Sequence, residues 1–180
     1  MSNAIGLERT GNTITIRFSR PEIRNPLSVF VLDEIESILV DLDGEIEEVV
    51  FTGSENIFAS GADLREIASL SAEEAKSFGE RGQQLMQQIA SCRAATTAKV
   101  NGPCFGGALD LALACDNRIS TSNATFCHPG AGLGIITGWG GTQRLPRLIG
   151  EGNALKMFFT AEPISANEAL RIGLIDAIED

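Results

Sequence analysis

The sequence predicts an α/β protein, because segments typical of strands and of helices alternate along its 180 residues. Two glycine-rich turns, over residues 58–64 and 101–111, each lead from a hydrophobic strand into the start of a helix. Two capping boxes, which start at Ser71 and Ser165, mark the beginnings of two further helices. The length and the 43% hydrophobic content suffice for a sizeable core, so we expect one domain over residues 1–180.

The first third of the chain has the pattern strand, strand, helix, strand. Apolar and polar residues alternate over 13–18 after the turn signal Thr10-Gly11-Asn12, which predicts a β-hairpin. Apolar residues then recur at helical spacing from Leu27 to Leu42. Val49-Val50-Phe51 is typical of a fully buried strand, so a β-α-β unit follows the hairpin.

The middle of the chain repeats the order strand, turn, helix. The helix that starts after Ser71 is amphipathic and leads to a strand at residues 97–100. Residues 107–115 are almost wholly apolar and predict a short helix, which must be buried because it has no polar face. Residues 117–120 then return as a strand.

The last third of the chain begins with a glycine-rich loop, residues 130–141, whose flexibility suits the wall of a ligand site. A helix begins at Thr142, directly after this loop. The helix capped by Ser165 stops at Gly173, and residues 174–178 are predicted to form the last strand.

The composition argues against several classes of partner. A net charge of −10 argues against nucleic acid or an anionic membrane, since binding to either requires clustered lysine and arginine. No apolar run approaches the roughly 20 residues of a membrane helix, and residues 1–4 lead into a strand instead of a signal segment, so we expect a cytoplasmic protein. Without a C-x-x-C pair, we expect buried thiols and neither a metal site nor disulfides at Cys92, Cys104, Cys115 and Cys127.

The two glycine-rich turns can together form an oxyanion hole, a pair of backbone N–H groups that binds a negatively charged oxygen. Glycine and alanine let a backbone approach a ligand closely, and a helix start leaves N–H groups without partners inside the helix. Two such ends facing one carbonyl oxygen would stabilise the charge that develops in enolate and acyl-transfer chemistry.

Asp110 is the strongest candidate for an acid–base group beside such a hole. It lies three positions after Gly107, in the first turn of the apolar helix, and shares a face with the exposed N–H groups. Burial would raise its pKa and nearby N–H groups would lower it, so the roles of general base and general acid are both open. The structural alternative is that the carboxylate only complements the helix dipole.

Four other side chains have a functional and a structural interpretation. His128, the only histidine, precedes Pro129 and lies either in a cleft or in a surface or loop-packing position. We interpret Asp63 as a helix cap and Asp116 as a partner of backbone groups at a helix end. Trp139, the only tryptophan, is expected in the core or in the wall of a site.

Motifs for serine hydrolysis and nucleotide binding are lacking. Ser60 lies in a glycine turn, but the sequence has no G-x-S-x-G elbow. Gly106-Gly107 and the glycines at 138–141 match neither the P-loop nor the Rossmann fingerprint. The sequence therefore gives little support to serine hydrolysis or to these two kinds of nucleotide site.

Six segments of the sequence together resemble the crotonase family, also called the enoyl-CoA hydratase/isomerase superfamily. Several motifs in the right order are far more specific than any one glycine turn. The segments that carry the resemblance are residues 20–27, 58–64, 101–116, 140–145, 164–169 and 173–175.

The resemblance implies a crotonase-like spiral of repeated ββα units that binds a coenzyme A thioester as substrate, with no further cofactor. It maps the two N–H groups of the oxyanion hole onto Ala62 and Gly107. It also implies a homo-oligomer, either a trimer or a hexamer. The residues that it implies for binding of substrate and coenzyme A are Ile23, Arg24, Ser60, Ala62 and Gly106.

The chain departs from the family pattern at three points. Asp110 stands at the position of the first catalytic glutamate and is shorter by one methylene. Gly130 stands at the position of the second, which argues against two-glutamate hydration, and His128 is a candidate replacement for the lost proton donor. Family chains usually continue past the last strand with a helical region, whereas this sequence stops at Asp180, so we expect either a shortened member that lacks the region or a fragment of a longer chain.

From the residues and the resemblance we expect an acyl-CoA thioester-processing enzyme of the enoyl-CoA hydratase/isomerase type, a lyase or isomerase of fatty acid metabolism. Its candidate catalytic residues are Asp110 and His128. Two alternatives stay open. One is thioester hydrolysis or decarboxylation at the same site, and the other is binding of acyl-CoA, or of another subunit, without catalysis.

Overall fold

The computed structural model of the chain describes residues 4–179. Residues 1–3 and 180 lie outside the described residues, and with them the predicted lead-in to the first strand and both ends of the predicted domain. Helices and strands alternate through the described part, with a 3-10 turn at Pro21–Ile23. In chain order the elements are β1 (Ile5–Thr10), β2 (Thr13–Phe18), β3 (Pro26–Leu27), α1 (Val29–Val40), β4 (Glu48–Thr52), β5 (Gly61–Ala62), α2 (Leu64–Ile67), α3 (Ala72–Ala90), β6 (Ala95–Val100), β7 (Cys104–Phe105), α4 (Gly107–Ala114), β8 (Asn117–Ser120), β9 (Thr125–Cys127), α5 (Gly130–Leu133), α6 (Gly141–Ile149), α7 (Glu151–Thr160), β10 (Ile164–Ser165), α8 (Ala166–Arg171) and β11 (Ala177–Ile178).

The largest sheet among the described residues has the strand order β1-β2-β4-β6-β8-β11. β1 and β2 pair antiparallel, which confirms the predicted hairpin, and every later pair of neighbours is parallel. Val49, Val50 and Phe51 of β4 are all buried, although successive side chains of a strand point to opposite faces. Both faces of the sheet are therefore covered at β4, as is typical of parallel sheets.

Two smaller sheets carry the glycine-rich turns. β5 pairs in parallel with β3, which places Ala62 opposite Leu27. β7 pairs in parallel with β9, and β9 pairs antiparallel with β10. Because β5 and β7 are only two residues long and each runs straight into a helix start, the sheets fix where α2 and α4 begin.

Helix α4 lies within the hydrophobic core, as its apolar sequence predicts. Every residue from Ala108 to Ala114 is buried, and Asp110 is the only charged residue among them. An all-apolar helix needs packing partners on every side. α3, α6, β5, β6 and β7 contact it. An otherwise apolar helix thus carries one carboxyl group into the interior of the protein.

Helix α1 starts two residues later than predicted. Leu27 does not belong to the helix, because it pairs with Ala62 in the β3–β5 sheet. Ser28 then caps the helix, and its Oγ accepts a hydrogen bond from the Val31 N–H at 3.3 Å. Leu27 continues the helical spacing of apolar residues in the sequence, but in the structure it belongs to strand β3.

The predicted last strand and the glycine-rich loop also differ in detail. Leu174 and Ile175 are buried, but only Ala177–Ile178 pairs with β8. The loop predicted over 130–141 contains the single-turn helix α5, which ends at Gly134 in the left-handed conformation. These differences arise from backbone pairing that apolar periodicity does not report.

The predicted cap at Asp63 is confirmed, but the interpretation of Asp116 is wrong. Asp63 accepts the Arg65 N–H at 2.9 Å at the start of α2. Asp116 Oδ2 instead accepts the backbone N–H of Thr96, a residue of β6, at 2.8 Å. A helix end presents carbonyl oxygens, which a carboxylate cannot bind. The Arg118 guanidinium binds them, with Nη1 2.7 Å from Cys115 O.

The four cysteines are free thiols. Cys104, Cys115 and Cys127 are buried as expected, whereas Cys92 is partly exposed. Burial raises the pKa of Cys115 to about 12, so this thiol stays protonated and unreactive at neutral pH. Within residues 4–179, no helix is both long and apolar enough to span a bilayer.

Replacing Phe51 with alanine should lower the free energy of unfolding by about 3–5 kcal/mol, because the ring is fully buried in β4 and its loss leaves a cavity. The matched control is Phe159→Ala. Phe159 is 77% exposed, so its loss should change the free energy by less than about 0.5 kcal/mol. Urea denaturation followed by circular dichroism measures both, and equal effects would contradict the interior position of β4.

Candidate active site

The two glycine-rich turns lie side by side in the folded chain. The Ala59 N–H donates to Pro103 O at 3.1 Å, and the Phe105 N–H donates to Ala59 O at 3.1 Å. The Gly106 N–H donates to Cys127 O at 2.9 Å, which ties the second turn to β9. Backbone contacts alone therefore fix the turns relative to each other.

The turns approach so closely that two positions require glycine. Gly61 has a φ of +89°, and a Cβ there would lie 2.5 Å from Phe105 O and 2.8 Å from the backbone nitrogen of Gly107. A Cβ on Gly107 would lie 3.3 Å from the backbone nitrogen of Ala62. The predicted pair of nitrogens is thus brought together, and that of Gly107 belongs to the first turn of α4, where N–H groups lack partners inside the helix.

A cavity of about 270 Å³ lies beside the two turns. Its polar side chains are Ser60, Asp110, His128 and Thr137, and the backbones of Ala62 and Gly107 also line it. The remaining wall is mainly apolar, so the cavity suits a ligand with a polar reacting centre and an apolar tail. The large aliphatic and aromatic side chains of this wall include Leu64, Ile67, Leu70, Phe78, Leu133 and Ile136.

Asp110 is a fully buried carboxyl group at this cavity. Its Oδ2 accepts hydrogen bonds from the Thr137 hydroxyl and from the Trp139 N–H, the latter at 3.3 Å. Its Oδ1 has no hydrogen-bond partner among residues 4–179. Burial raises the pKa of Asp110 to about 6, although Thr137, Trp139, Arg144 and the Gly141 N–H oppose this. The carboxyl group is therefore mostly ionised at pH 7 and is able to exchange a proton near neutrality.

His128 faces Asp110. Its Nε2 lies 3.6 Å from Asp110 Oδ1, and neither ring nitrogen has a hydrogen-bond partner in the described part of the chain. The residue is 3% exposed and its ring packs against that of Phe158, with centroids 5.2 Å apart. Burial lowers the pKa of His128 to about 4, so the imidazole is neutral at pH 7. His128 also lines the cavity, so it lies in the cleft, which is one of the locations predicted for it.

Gly130 has no room for a side chain in this conformation. A Cβ there would lie 2.5 Å from Ile135 O. The Ile135 N–H also donates to Gly130 O at 3.0 Å, so the loop folds back over this position. The backbone itself therefore takes up the space that a side chain at position 130 would need.

The residues predicted to contact coenzyme A fall into two groups. Ser60 and Gly106 line the cavity, whereas Ile23 is 40% exposed and Arg24 is also exposed, and neither is among its lining residues. The Ser60 N–H donates to Arg24 O at 2.9 Å, so the segment at 23–24 lies against the first turn. The buried Asn25 side chain fixes this arrangement through hydrogen bonds to the backbone, among them one from Nδ2 to Phe58 O at 3.1 Å.

Trp139 forms one wall of the cavity, and the wall of a site is one of the two positions predicted for it from the sequence. The indole fits between two glycines: a Cβ on Gly82 of α3 would lie 2.1 Å from its ring, and a Cβ on Gly107 would lie 2.4 Å from it. Gln83 Nε2 donates to Gly138 O at 2.8 Å and holds the same loop against α3. The one signal of this packing in the sequence is a glycine in the interior of a helix, which suggests close approach.

Sequence reasoning missed the two groups that hold Asp110. The hydroxyl of Thr137 and the N–H of Trp139 both come from the glycine-rich loop, which lies 27 and 29 residues further along the chain. No motif marks Thr137, because its contact depends on how the loop folds back over α4.

A model of the enoyl-CoA hydratase/isomerase family matches residues 8–179. This match covers nearly the whole chain and agrees with the α/β fold and the paired turns. The protein therefore belongs to the enoyl-CoA hydratase/isomerase family, the crotonase superfamily, as the motifs indicate.

The chain is similar to several hydratases of this family. It is 38% identical over 179 residues to the short-chain-enoyl-CoA hydratase of Clostridium acetobutylicum, covering 98% of this chain and 69% of that protein. It is 42% identical over 175 residues to the crotonyl-CoA hydratase of Syntrophomonas wolfei, covering 96% and 67% respectively. The solved enoyl-CoA hydratase from Bacillus anthracis matches with a TM-score of 0.94 and 34% identity, covering 98% of this chain and 70% of that one. The chain thus spans about two thirds of the length of these relatives. The similarity supports a function of the enoyl-CoA hydratase/isomerase type.

Replacing Gly82 with alanine should displace the indole of Trp139, because the new Cβ would overlap the ring. We expect a loss of about 1–3 kcal/mol in the free energy of unfolding and a shift in intrinsic fluorescence, which Trp139 alone supplies. The matched control is Gly79→Ala in the same helix, where a Cβ would meet nothing within 4 Å. An unchanged emission spectrum in the Gly82 variant would contradict the packing.

The opposite pKa shifts of Asp110 and His128 predict opposite effects of pH on the stability of two variants. The fold favours protonated Asp110, so this group's contribution to the free energy of unfolding falls as the pH rises from about 4 to about 6. The fold favours neutral His128, so its contribution rises from about pH 4 to about pH 6.5. In the unsubstituted protein these two pH-dependent contributions to the free energy of unfolding nearly cancel.

Between about pH 5 and pH 6, Asp110→Asn should therefore gain stability relative to the unsubstituted protein, and His128→Gln should lose stability. Each difference should change by up to about 1.4 kcal/mol per pH unit. Urea denaturation at several pH values measures this. Stability differences that do not vary with pH would show that the two groups titrate normally.

Proposed function

We propose that the cavity binds an acyl-CoA thioester and that the protein is a hydratase, which adds water to an enoyl-CoA with Asp110 as its acid–base carboxyl group. The observation that carries this proposal is the shared position of Asp110 and the backbone nitrogens of Ala62 and Gly107 at one cavity. The similarity to proteins named as enoyl-CoA and crotonyl-CoA hydratases supports the choice of reaction.

In this proposal the thioester carbonyl oxygen accepts hydrogen bonds from the Ala62 and Gly107 N–H groups. Addition of water to the double bond pushes electrons onto that oxygen, and the two donors stabilise the resulting enolate. Each donor of this kind is worth about 2.7–4 kcal/mol in the transition state. The dipole of α4, which starts at Gly107, acts in the same direction.

Asp110 performs both proton transfers. Its carboxylate accepts a proton from water while the water oxygen forms a bond to the β-carbon. The electron pair of the double bond moves through the α-carbon to the thioester oxygen and leaves an enolate. The enolate then takes the proton back from the Asp110 carboxyl group at its α-carbon. One group suffices because the proton that it removes is the proton that it returns.

His128 orients the attacking water. A neutral imidazole carries one donor and one acceptor nitrogen. Since Nε2 lies 3.6 Å from Asp110 Oδ1, a water bound to that oxygen is also within reach of the ring. The low pKa of His128, caused by burial, keeps a positive charge away from the thioester.

The remaining contacts follow the shape of the cavity. The acyl group lies along the apolar wall, which carries Leu70 and Phe78. The coenzyme A part leaves past Ser60 towards Ile23 and Arg24, where the exposed guanidinium is available to a phosphate.

A second candidate is binding of acyl-CoA without catalysis. It is favoured by the two hydrogen bonds that Asp110 Oδ2 already accepts from the loop before α6, since a carboxyl group that holds a loop in place has a structural role without any reaction. The absence of a side chain at Gly130 is consistent with the same interpretation. Turnover distinguishes it from the first candidate.

Asp110→Asn should lower kcat/KM for enoyl-CoA hydration by about 10²–10⁴-fold, because an amide cannot accept the proton of water. The measurement is the fall in absorbance of the conjugated double bond of a short enoyl-CoA. Asp43→Asn is the matched control, since this surface carboxylate pairs with Arg9 at 2.6 Å and should leave the rate unchanged.

Calorimetric binding of the same thioester separates the two candidates. Binding without turnover by the unsubstituted protein, across thioesters of several chain lengths, would favour the non-catalytic role. A rate that Asp110→Asn leaves unchanged would contradict the assignment of Asp110.

A further inference from the structure

Thr137 makes a contact that the proposed reaction does not explain. It lies on the loop between α5 and α6, and its hydroxyl donates a hydrogen bond to Asp110 Oδ2. Asp110 is fully buried, so a hydroxyl placed against it is a specific contact and not a chance one on a surface. The side chain also lines the cavity.

The two carboxylate oxygens of Asp110 have different surroundings. Oδ2 accepts hydrogen bonds from Thr137 and from the Trp139 N–H. Oδ1 has no hydrogen-bond partner among the described residues; it faces His128 and lies against the backbone of Gly141 at the start of α6. A carboxyl group that rotated freely would exchange the two oxygens, so some contact must hold one of them.

We propose that Thr137 is a positioning residue for Asp110, whose hydroxyl holds Oδ2 so that Oδ1 stays directed at His128 and the cavity. The side-chain amide of asparagine has one oxygen and one nitrogen, which hydrogen-bond partners distinguish. The two oxygens of an aspartate carboxylate are chemically identical. The difference between them must therefore come from neighbours, and Thr137 is the side chain that supplies it.

The loop that carries Thr137 is itself held in place directly after that residue. Trp139, two residues later, lies between Gly82 and Gly107. Gln83 Nε2 binds Gly138 O at 2.8 Å. These contacts fix the backbone on the C-terminal side of Thr137, so the hydroxyl is presented to Asp110 at a defined place.

Hydrogen bonding by Thr137 also affects the proton affinity of Asp110, because a donor stabilises the ionised form. The other titratable or charged groups that face Asp110 are His128 before α5, Arg144 of α6 and the buried thiol of Cys104 in β7. At neutral pH the histidine and the thiol are uncharged, and the substitutions at residue 137 leave the Arg144 side chain itself in place. Removal of the hydroxyl alone should therefore raise the pKa of Asp110.

The test compares Thr137→Val and Thr137→Ala, which lose the hydroxyl, with Thr137→Ser, which retains it. In carbon NMR, with Asp110→Asn used to assign the signal, the Asp110 carboxyl should titrate at least about one pH unit higher in the valine and alanine variants. The serine variant should titrate close to the unsubstituted protein. The alanine variant decides the matter if the valine variant does not fold.

The effect on rate rests on the proposed function, whereas the titration does not. In hydration of an enoyl-CoA, the acidic limb of the kcat profile should move to higher pH in the valine variant, with a fall of about fivefold at pH 6 and little change in KM. If the protein shows no turnover, the proposed function fails and the titration still tests Thr137.

An Asp110 titration that is the same in all folded variants would overturn the proposal. So would a serine variant displaced as far as the alanine variant, because that result would show that the methyl group, and not the hydroxyl, matters.

Discussion

The close approach of the two glycine-rich turns is the constraint on which the site depends. Gly61 and Gly107 let two backbone segments meet at distances that no Cβ allows, and this brings the nitrogens of Ala62 and Gly107 together. The same absence of a side chain at Gly107 makes room for the indole of Trp139. Trp139 in turn fixes the loop that holds Asp110. One requirement for close packing thus positions the proposed oxyanion donors and the acid–base group together.

The chemistry of the site follows from placing two titratable groups in an apolar interior. Burial pushes the pKa of Asp110 up and that of His128 down, so at neutral pH the pair carries at most one negative charge. A buried charge without a partner is costly, and the hydrogen bonds from Thr137 and Trp139 offset part of that cost. Partial compensation leaves a carboxyl group that is able to take up and release a proton near pH 6.

The site of this family member combines two closely paired turns with a position, Gly130, that has no side chain. The two glycine-rich turns meet closely, while Gly130 has no side chain and its Cβ position is closed by Ile135 O. A single carboxyl group that removes and returns one proton is consistent with both facts. His128 lies 3.6 Å from that carboxyl group and is neutral at pH 7, so it adds no second charge to the site.

The sequence by itself determined the alternation of strands and helices, the buried helix α4, the cap at Asp63, and the family, because these depend on periodicity and on local motifs. It also identified Asp110 and His128 as candidates through their spacing from the glycine-rich segments. It misplaced the start of α1, the length of the last strand and the partner of Asp116, since each depends on backbone pairing with distant segments. Only the tertiary structure decided which groups hold Asp110, how far His128 lies from it and why Gly130 has no space for a side chain. Those facts arise where a loop folds back over a helix nearly thirty residues away, and no local pattern in the chain records such a contact.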